Sequence, residues 1–333
     1  MLNATTSEFE LPGLGAFGLD DGMIPLDMSS DGAFRRGLHG VTAVLATGDR
    51  KVEFIGFKDR TLAHVRSALG YPAYYPVPKA EIRRPIRAVL MDLDGTSVDS
   101  EEFWIWMIQL TTASLLERPG FELEEADLPH VSGHSVSEHL QYCINKYCAD
   151  RTVEEARKVY FDHTHYQMNE IMEGRGRKNA FRPAPGLKDF LMTLKDRGIR
   201  IGLVTSGLYE KAWPEILSAF RTLKMGDPTD FYDAIITAGF PMRKGLSAGT
   251  LGELSPKPHP WLYAEVSRVG LGIRGEDRHH VAGLEDSGAG VCSIRLAGFA
   301  AIGMAGGNIV ESGTRALCNH FCDDFVDVLS AIS

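Results

Sequence analysis

The sequence predicts an α/β fold: a doubly wound parallel sheet, interrupted by an α-helical insert and preceded by a small extension. Three observations carry this reading. After Pro85, short apolar runs alternate with segments of helical spacing, the pattern of strands buried on both faces and covered by helices. From residue 101 to 181 strand signals disappear, and helical patterns follow one another over 103–116, 136–147 and 153–172. Before Pro85 the composition differs, rich first in Gly, Asp and Ser and then carrying two strand-like runs. The expected organisation is therefore an extension over 1–85, a core formed by 86–100 and 182–333, and a helical insert over 101–181.

Within the extension, residues 1–36 show no sustained periodicity. Gly13-Leu14-Gly15-Ala16-Phe17-Gly18 spells the dinucleotide-loop spacing, but no strand signal precedes it and no helix signal follows. A pyrophosphate needs that helix N-terminus, so the match is read as accidental. Runs 41–46 and 51–57 flank Thr47-Gly48-Asp49-Arg50, a hairpin signal. Asp59 is placed to cap a helix over 60–69, where Leu62, Val65 and Leu69 recur at helical spacing. These pieces predict a small ββα module. Four prolines between 71 and 85 read as a linker behind it. Every later motif lies beyond Arg87, so a chain beginning near Ala80 is expected to keep its fold and chemistry.

The core reads as strand 87–91, helix 187–197, strand 200–205, helix 209–220, strand 232–237, helix 260–269, strand 280–284, helix 288–297 and strand 300–304. Ligands of such sheets bind at the carboxyl ends of the strands.

Bulk properties narrow the function classes. A chain of 333 residues predicts about two domains, and 44% hydrophobic with 24% charged residues suits a globular core. A net charge of −9 argues against a protein that coats nucleic acid. No stretch approaches the roughly 18 apolar residues of a membrane span, and the N-terminus lacks a secretory pattern. Five cysteines without a CxxC pair suggest reduced thiols and a cytoplasmic location.

Four motifs fall at predicted strand ends. Met91-Asp92-Leu93-Asp94-Gly95-Thr96 sets two carboxylates one residue apart on a loop leaving a strand. Phosphoryl transfer needs a nucleophile, a proton donor for the leaving oxygen and a cation to offset the charge. An acidic turn with a glycine break is the plain alternative. Val204-Thr205-Ser206-Gly207 offers hydroxyls and a following helix N-terminus to phosphate oxygens, or simply a helix cap. Ser255-Pro256-Lys257-Pro258-His259-Pro260 pins one lysine between prolines, as a rigid turn without function also would. Gly283-Leu284-Glu285-Asp286-Ser287-Gly288 places adjacent acids where a hard divalent cation would relieve their repulsion, or where one acid caps the next helix.

Taken in order, these four motifs resemble those of the haloacid-dehalogenase-like superfamily, most closely the branch with β-phosphoglucomutase and phosphoglycolate phosphatase. The resemblance covers about residues 86–330 and implies a Rossmann-like core with a mobile helical cap. It implies that Asp92 attacks phosphorus and that Asp94 acts as acid and then base. Thr205, Ser206 and Lys257 would hold phosphate oxygens. Mg2+ would lie among the Asp92 carboxylate, the Asp94 carbonyl and the Asp286 carboxylate. Glu285 would orient a bound water or ligand.

Within the superfamily, Asp94 disfavours the dehalogenases, and the lack of lysine in 131–138 disfavours phosphonate cleavage. Where the mutase carries a histidine and two cap cations, this chain has Trp104, Ser132 and Val136. The expected activity is hydrolysis of a small phosphorylated metabolite. Mutase-like phosphoryl transfer and a non-catalytic binding role on the same scaffold are the alternatives. Trp104 and His134 are candidates for substrate specificity, with cap-core packing and a surface histidine as the plain alternatives. Lys244, in an insertion over 241–254, competes with Lys257 but lacks the flanking prolines.

Overall fold

The structure, a computed structural model, describes residues 9–18, 21–66, 72–131, 136–238, 243–246 and 254–333. The chain divides into two compact units. One comprises residues 1–97, 185–209 and 229–333, and the other 98–184 and 210–228.

The first unit opens with a ribbon, β1 (Phe9–Leu11) against β2 (Gly15–Phe17). Its turn has positive φ at Gly13 (86°) and Gly15 (109°), a region favourable only to glycine, and Leu14 N donates to Leu11 O at 2.9 Å. The GxGxxG spacing therefore encodes a tight hairpin. An antiparallel sheet of five strands follows in sequential order: β3 (Ile24–Pro25), β4 (Val41–Ala46), β5 (Val52–Phe57), β6 (Thr61–Val65) and β7 (Ala73–Pro76).

The β4–β5 hairpin agrees with the sequence, but the expected helix after it does not form. Thr61–Val65 is a strand, paired with β5 from Val52↔Val65 to Gly56↔Thr61. Five residues fit either period. Flanking β5 and β7 supply a hydrogen-bond ladder, and alternation sends Ala63 and Val65 inward. The rest of the expected helix, 67–69, lies outside the described residues. The proline-rich stretch contributes the edge strand β7, where prolines are tolerated. The ββα module is thus corrected to a five-stranded sheet.

Nor is the extension separable. Leu11, Phe17, Leu45, Phe54 and Val65 share one buried cluster with Leu90, Leu262, Val291, Ile294 and Leu317 of the later chain. Polar ties cross the same seam: Arg295 Nη2 donates to Gly13 O at 2.9 Å, Gly48 N to Ser312 O at 2.8 Å and Asn319 Nδ2 to Ala80 O at 3.3 Å. Burying each large apolar side chain contributes about 1.5–3 kcal/mol, so removing the extension strips a substantial part of a shared core. The shared core runs against the expectation of an accessory module.

After β8 (Ala88–Asp92) the chain enters the second unit, closed by the short pair β9 (Val98–Asp99) and β10 (Arg182–Pro183). Between them run α1 (Glu101–Leu115), α2 (Val136–Tyr147) and α3 (Val153–Met172). Thr152 and Glu155 start α3 with a reciprocal capping box. On return come α4 (Leu187–Asp196), β11 (Arg200–Leu208), α5 (Tyr209–Leu223), α6 (Pro228–Phe231), β12 (Ala234–Ala238) and α7 (Trp261–Glu265). The last elements are β13 (Val281–Glu285), α8 (Gly288–Leu296), β14 (Ala300–Met304), β15 (His320–Cys322) and α9 (Phe325–Ile332). Residues 210–228 group with the helical insert. Arg221 donates to the Ile171 and Met172 carbonyls at 2.6 and 2.8 Å, and Lys211 Nζ lies 3.8 Å from the Trp104 ring centre.

The main sheet is parallel, in the order β12-β11-β8-β13-β14-β15. β15 and α9 extend it beyond the elements read from sequence, because a three-residue strand shows no usable period. The chain leaves β8 toward β11 and β12 and later fills the other side with β13 to β15. The crevice at the carboxyl end of β8 is therefore the topological switch point.

Candidate active site

Register brings three of the four motifs together. β8 pairs with β11 through Val204↔Asp92 and with β13 through Leu284↔Met91. Thr205 and Ser206 therefore emerge just past Asp92 on one side, and Glu285 and Asp286 on the other. The fourth motif supplies Lys257, whose ammonium pairs with both Asp92 Oδ1 and Glu285 Oε1 while the side chain is only 7% exposed. Asp94 sits on the same loop as Asp92, and its Oδ2 accepts from Thr205 Oγ1 at 3.4 Å.

The loop after β8 is shaped to receive its neighbours. Ser97 Oγ donates to Asp92 O at 2.6 Å, closing the turn, and Thr96 Oγ1 donates to Asp286 Oδ1 at 3.3 Å. Gly95 has φ of 82°, and a Cβ there would strike the Asp286 carboxylate. On the opposite side a Cβ at Gly290, in the first turn of α8, would occupy the Glu285 carboxylate. Small residues at these positions are what let the acids converge.

Oxygen atoms of Asp92, Glu285 and Asp286 lie within 4.8 Å of one another. Against three carboxylates the cluster sets one ammonium, and the imbalance shows in their acidities. Burial first, then the charge of Glu285, raises the pKa of Asp92 well above the carboxylate range, and Lys257 only partly opposes this. Asp286 is pushed up to about 7 by burial and by Glu285. Burial alone would lower Lys257, but the charges of Asp92 and Glu285 outweigh it and hold the pKa above its usual value. An all-oxygen, undercompensated donor set of this kind fits a hard divalent cation.

The structure thus gathers Asp92, Asp94, Thr205, Ser206, Lys257, Glu285 and Asp286 at one rim. Lys244 is elsewhere in its bonding: its ammonium donates to Thr229 O and its backbone bridges Ile235. Both oxygens of Glu285 are taken by the chain itself. Oε1 receives Lys257 and, at 2.8 Å, the Tyr263 hydroxyl, while Oε2 receives Ser287 N and Oγ at 3.2 and 2.9 Å. Tyr263 and Ser287 are additions that motif reading missed. Tyr263 lies six residues past Lys257 on the following helix, and Ser287 was legible as the N-cap of α8. Trp104 belongs to the second unit, half-buried against Phe103 and Phe181. His134 and Ser132 lie outside the described residues.

Residues 89–238 match the family model described as haloacid dehalogenase-like hydrolase. Solved structures similar to this chain include CbbY from Rhodobacter sphaeroides in complex with phosphate, at 20% identity and a TM-score of 0.50, covering 73% of this chain and 96% of that one. A predicted phosphoglycolate phosphatase from Haemophilus somnus matches at 19% identity and a TM-score of 0.52, covering 75% and 99%. A candidate β-phosphoglucomutase from Thermotoga maritima matches at 19% and 0.53, covering 74% and 100%. These likenesses establish the fold and bear out the resemblance drawn from the motifs. They span nearly all of each neighbour but leave about a quarter of this chain unmatched. No helix among the described residues is long and apolar enough to cross a membrane.

Proposed function

We propose that this chain, which carries the fold of the haloacid-dehalogenase-like hydrolases, is a magnesium-dependent phosphatase of small phosphorylated metabolites that works through phosphorylation of Asp92. The observation that carries the reading is the rim itself: Asp92 ends the central strand against Lys257, with Asp94 on the same loop and Asp286 opposite.

An Asp92 oxygen attacks phosphorus, and the P–O bond to the alcohol breaks as Asp94 passes its proton to the leaving oxygen. Asp94, now a carboxylate, then takes a proton from water, whose oxygen attacks the same phosphorus. Inorganic phosphate leaves and Asp92 is regenerated. The sum is one phosphomonoester and one water converted to alcohol and phosphate. Lys257, with the hydroxyls of Thr205 and Ser206, neutralises and holds the phosphate oxygens. Glu285 keeps Lys257 in place, since its oxygens already serve Lys257, Tyr263 and Ser287. The carboxylates of Asp92 and Asp286 and the carbonyl of Asp94 would hold Mg2+, which offsets the repulsion between nucleophile and phosphate. We assign substrate selection to the second unit, where Lys211 of α5 over Trp104 of the helical insert combines a cation with an aromatic face.

The test is phosphate release from an aryl phosphate and from panels of sugar phosphates and phosphorylated acids, with magnesium and with chelator. Release should require the metal. No release from any monoester in the presence of magnesium refutes the reading. With a hexose 1-phosphate and its bisphosphate, free sugar and phosphate are expected; hexose 6-phosphate forming faster would identify a mutase.

A further inference from the structure

The loop that carries Lys257 is short of the means to hold itself. Pro256, Pro258 and Pro260 have no N–H, so between 255 and 260 only alternate residues can donate from the backbone. Within the loop, His259 N reaches Pro256 O at 3.1 Å. Among the described residues, and besides the bonds of the Lys257 ammonium itself, three side chains from separate elements pin the loop. Ser206 Oγ, from β11, accepts from Lys257 N at 3.1 Å. Ser293 Oγ, from α8, donates to His259 O at 2.6 Å. The third is Tyr75 of β7, whose hydroxyl meets His259 Nδ1 at 2.8 Å across 184 residues of sequence.

That third contact is the polar anchor of a ring sealed from water. His259 is 1% exposed, and its Nε2 is buried with no hydrogen-bond partner among the described residues. Tyr75 also packs edge-to-face on His259 and on Trp261, each with ring centres 5.8 Å apart. It therefore grips the chain on both sides of Pro260. Burial raises the pKa of Tyr75 and lowers that of His259, so a neutral hydroxyl faces a neutral imidazole. Tyr75 itself is fixed by the ladder of the N-terminal sheet, opposite Ala63.

We propose that Tyr75 is a positioning residue for Lys257: by fixing His259 it holds the proline-bound loop at the place from which the ammonium spans Asp92 and Glu285. This rests on the phosphatase reading above and gives the N-terminal sheet a part in the reaction. Misplacing a reacting group by about 1 Å costs on the order of 10²-fold, so losing one of three pins should cost about tenfold.

The experiment compares full-length Tyr75→Phe, His259→Leu, His259→Asn, the double variant Tyr75→Phe/His259→Leu, and Tyr74→Phe as control. Tyr74 is the neighbouring tyrosine, whose hydroxyl bonds Asp31 instead. On an aryl phosphate with magnesium, Tyr75→Phe should lower kcat about tenfold and change KM less, since the charge that Lys257 meets is greatest in the transition state. The double variant should be no worse than His259→Leu, because both remove one connection. His259→Asn, which keeps a polar atom near the Nδ1 position, should recover part of the loss, and Tyr74→Phe should leave kcat unchanged. The nitrogen resonance of Lys257 should shift in Tyr75→Phe and not in Tyr74→Phe. A Tyr75→Phe kcat within twofold of the unsubstituted protein, or an equal loss in Tyr74→Phe, overturns the proposal. Should the unsubstituted protein hydrolyse no phosphomonoester, the phosphatase reading fails separately. The Lys257 resonance then decides the positioning role, and its indifference to Tyr75→Phe overturns that too.

Discussion

Two clusters of acids, each built around a buried carboxylate, lie in the same compact unit and could hardly be treated more differently. In the N-terminal sheet, Glu53 is 1% exposed, yet its carboxylate receives Ser30 N at 3.2 and 3.1 Å, Ser30 Oγ at 3.0 Å and His64 Nδ1 at 3.1 Å, with Arg66 at 3.9 Å. Beside it, Asp31 accepts from Tyr74, from Ser29 Oγ at 2.7 Å and from Ala33 N at 3.0 Å. Burial alone would raise the pKa of Asp31, but these bonds bring it down to about 2. At the rim, three carboxylates crowd together, Lys257 pairs with two of them, and the pKa values of Asp92 and Asp286 rise. Polar burial is common to both, so it does not mark function by itself. What separates them is that the sheet's acids, like Glu285, are satisfied by the chain, whereas Asp92 and Asp286 are left short of positive charge.

The largest way to break this comparison is to delete one cluster. A chain beginning at Ala80 loses Glu53, His64 and the inner-face residues Leu11, Phe17 and Phe54. It should aggregate or fail to fold, as read by solubility and circular dichroism. A soluble fragment that releases phosphate would show that the two regions are independent. Next, the two clusters should respond oppositely to losing a charge. Asp92→Asn should lower phosphate release at least ~10³-fold while leaving the melting temperature equal or higher, because it removes one of the repelling acids. Glu53→Gln should do the reverse. It should cost about 3 kcal/mol of stability in a urea titration, since it breaks a satisfied buried charge, and leave turnover of the folded protein intact. A destabilised Asp92→Asn or an inactive, stable Glu53→Gln would dissolve the distinction.

The smallest effect is titration. The folded pKa of Asp31 lies below its unfolded value, so its contribution is present above the ordinary carboxylate range and is lost as pH falls toward about 2. The gap in urea midpoint between the unsubstituted protein and Asp31→Asn should therefore be widest at neutral pH and narrow at pH values between 4 and 2. A constant gap would mean that the Tyr74 and Ser29 bonds do not act on the charged form.

The rim was legible in the sequence because each of its motifs is local. Asp92 and Asp94, Thr205 and Ser206, and Glu285 and Asp286 sit at or just past a strand end, Lys257 stands out between its prolines, and parallel order does the rest. The sheet before Pro85 was not, because Thr61–Val65 is too short to choose a period until β5 and β7 flank it. Leu62 and Val65 suit a helix as well as a strand. Tyr263 and Tyr75 were missed for a different reason. Neither belongs to a motif, and each acts through a partner far along the chain, Glu285 in one case and His259 in the other. Pairing at that distance leaves no trace in local spacing.

The seam between the first strands and the last ones has a consequence during synthesis. The inner side of β4 to β6 is covered by Leu262, Val291, Ile294 and Leu317, and the β1–β2 turn is tied by Arg295. A ribosome makes residues 9–76 well before these partners, at about 5–20 residues per second. The nascent N-terminal sheet must wait with its apolar side bare until Leu317 has emerged. Chaperones that cover exposed strands should bind its unfinished chains for as long as residues beyond Leu317 remain in the exit tunnel.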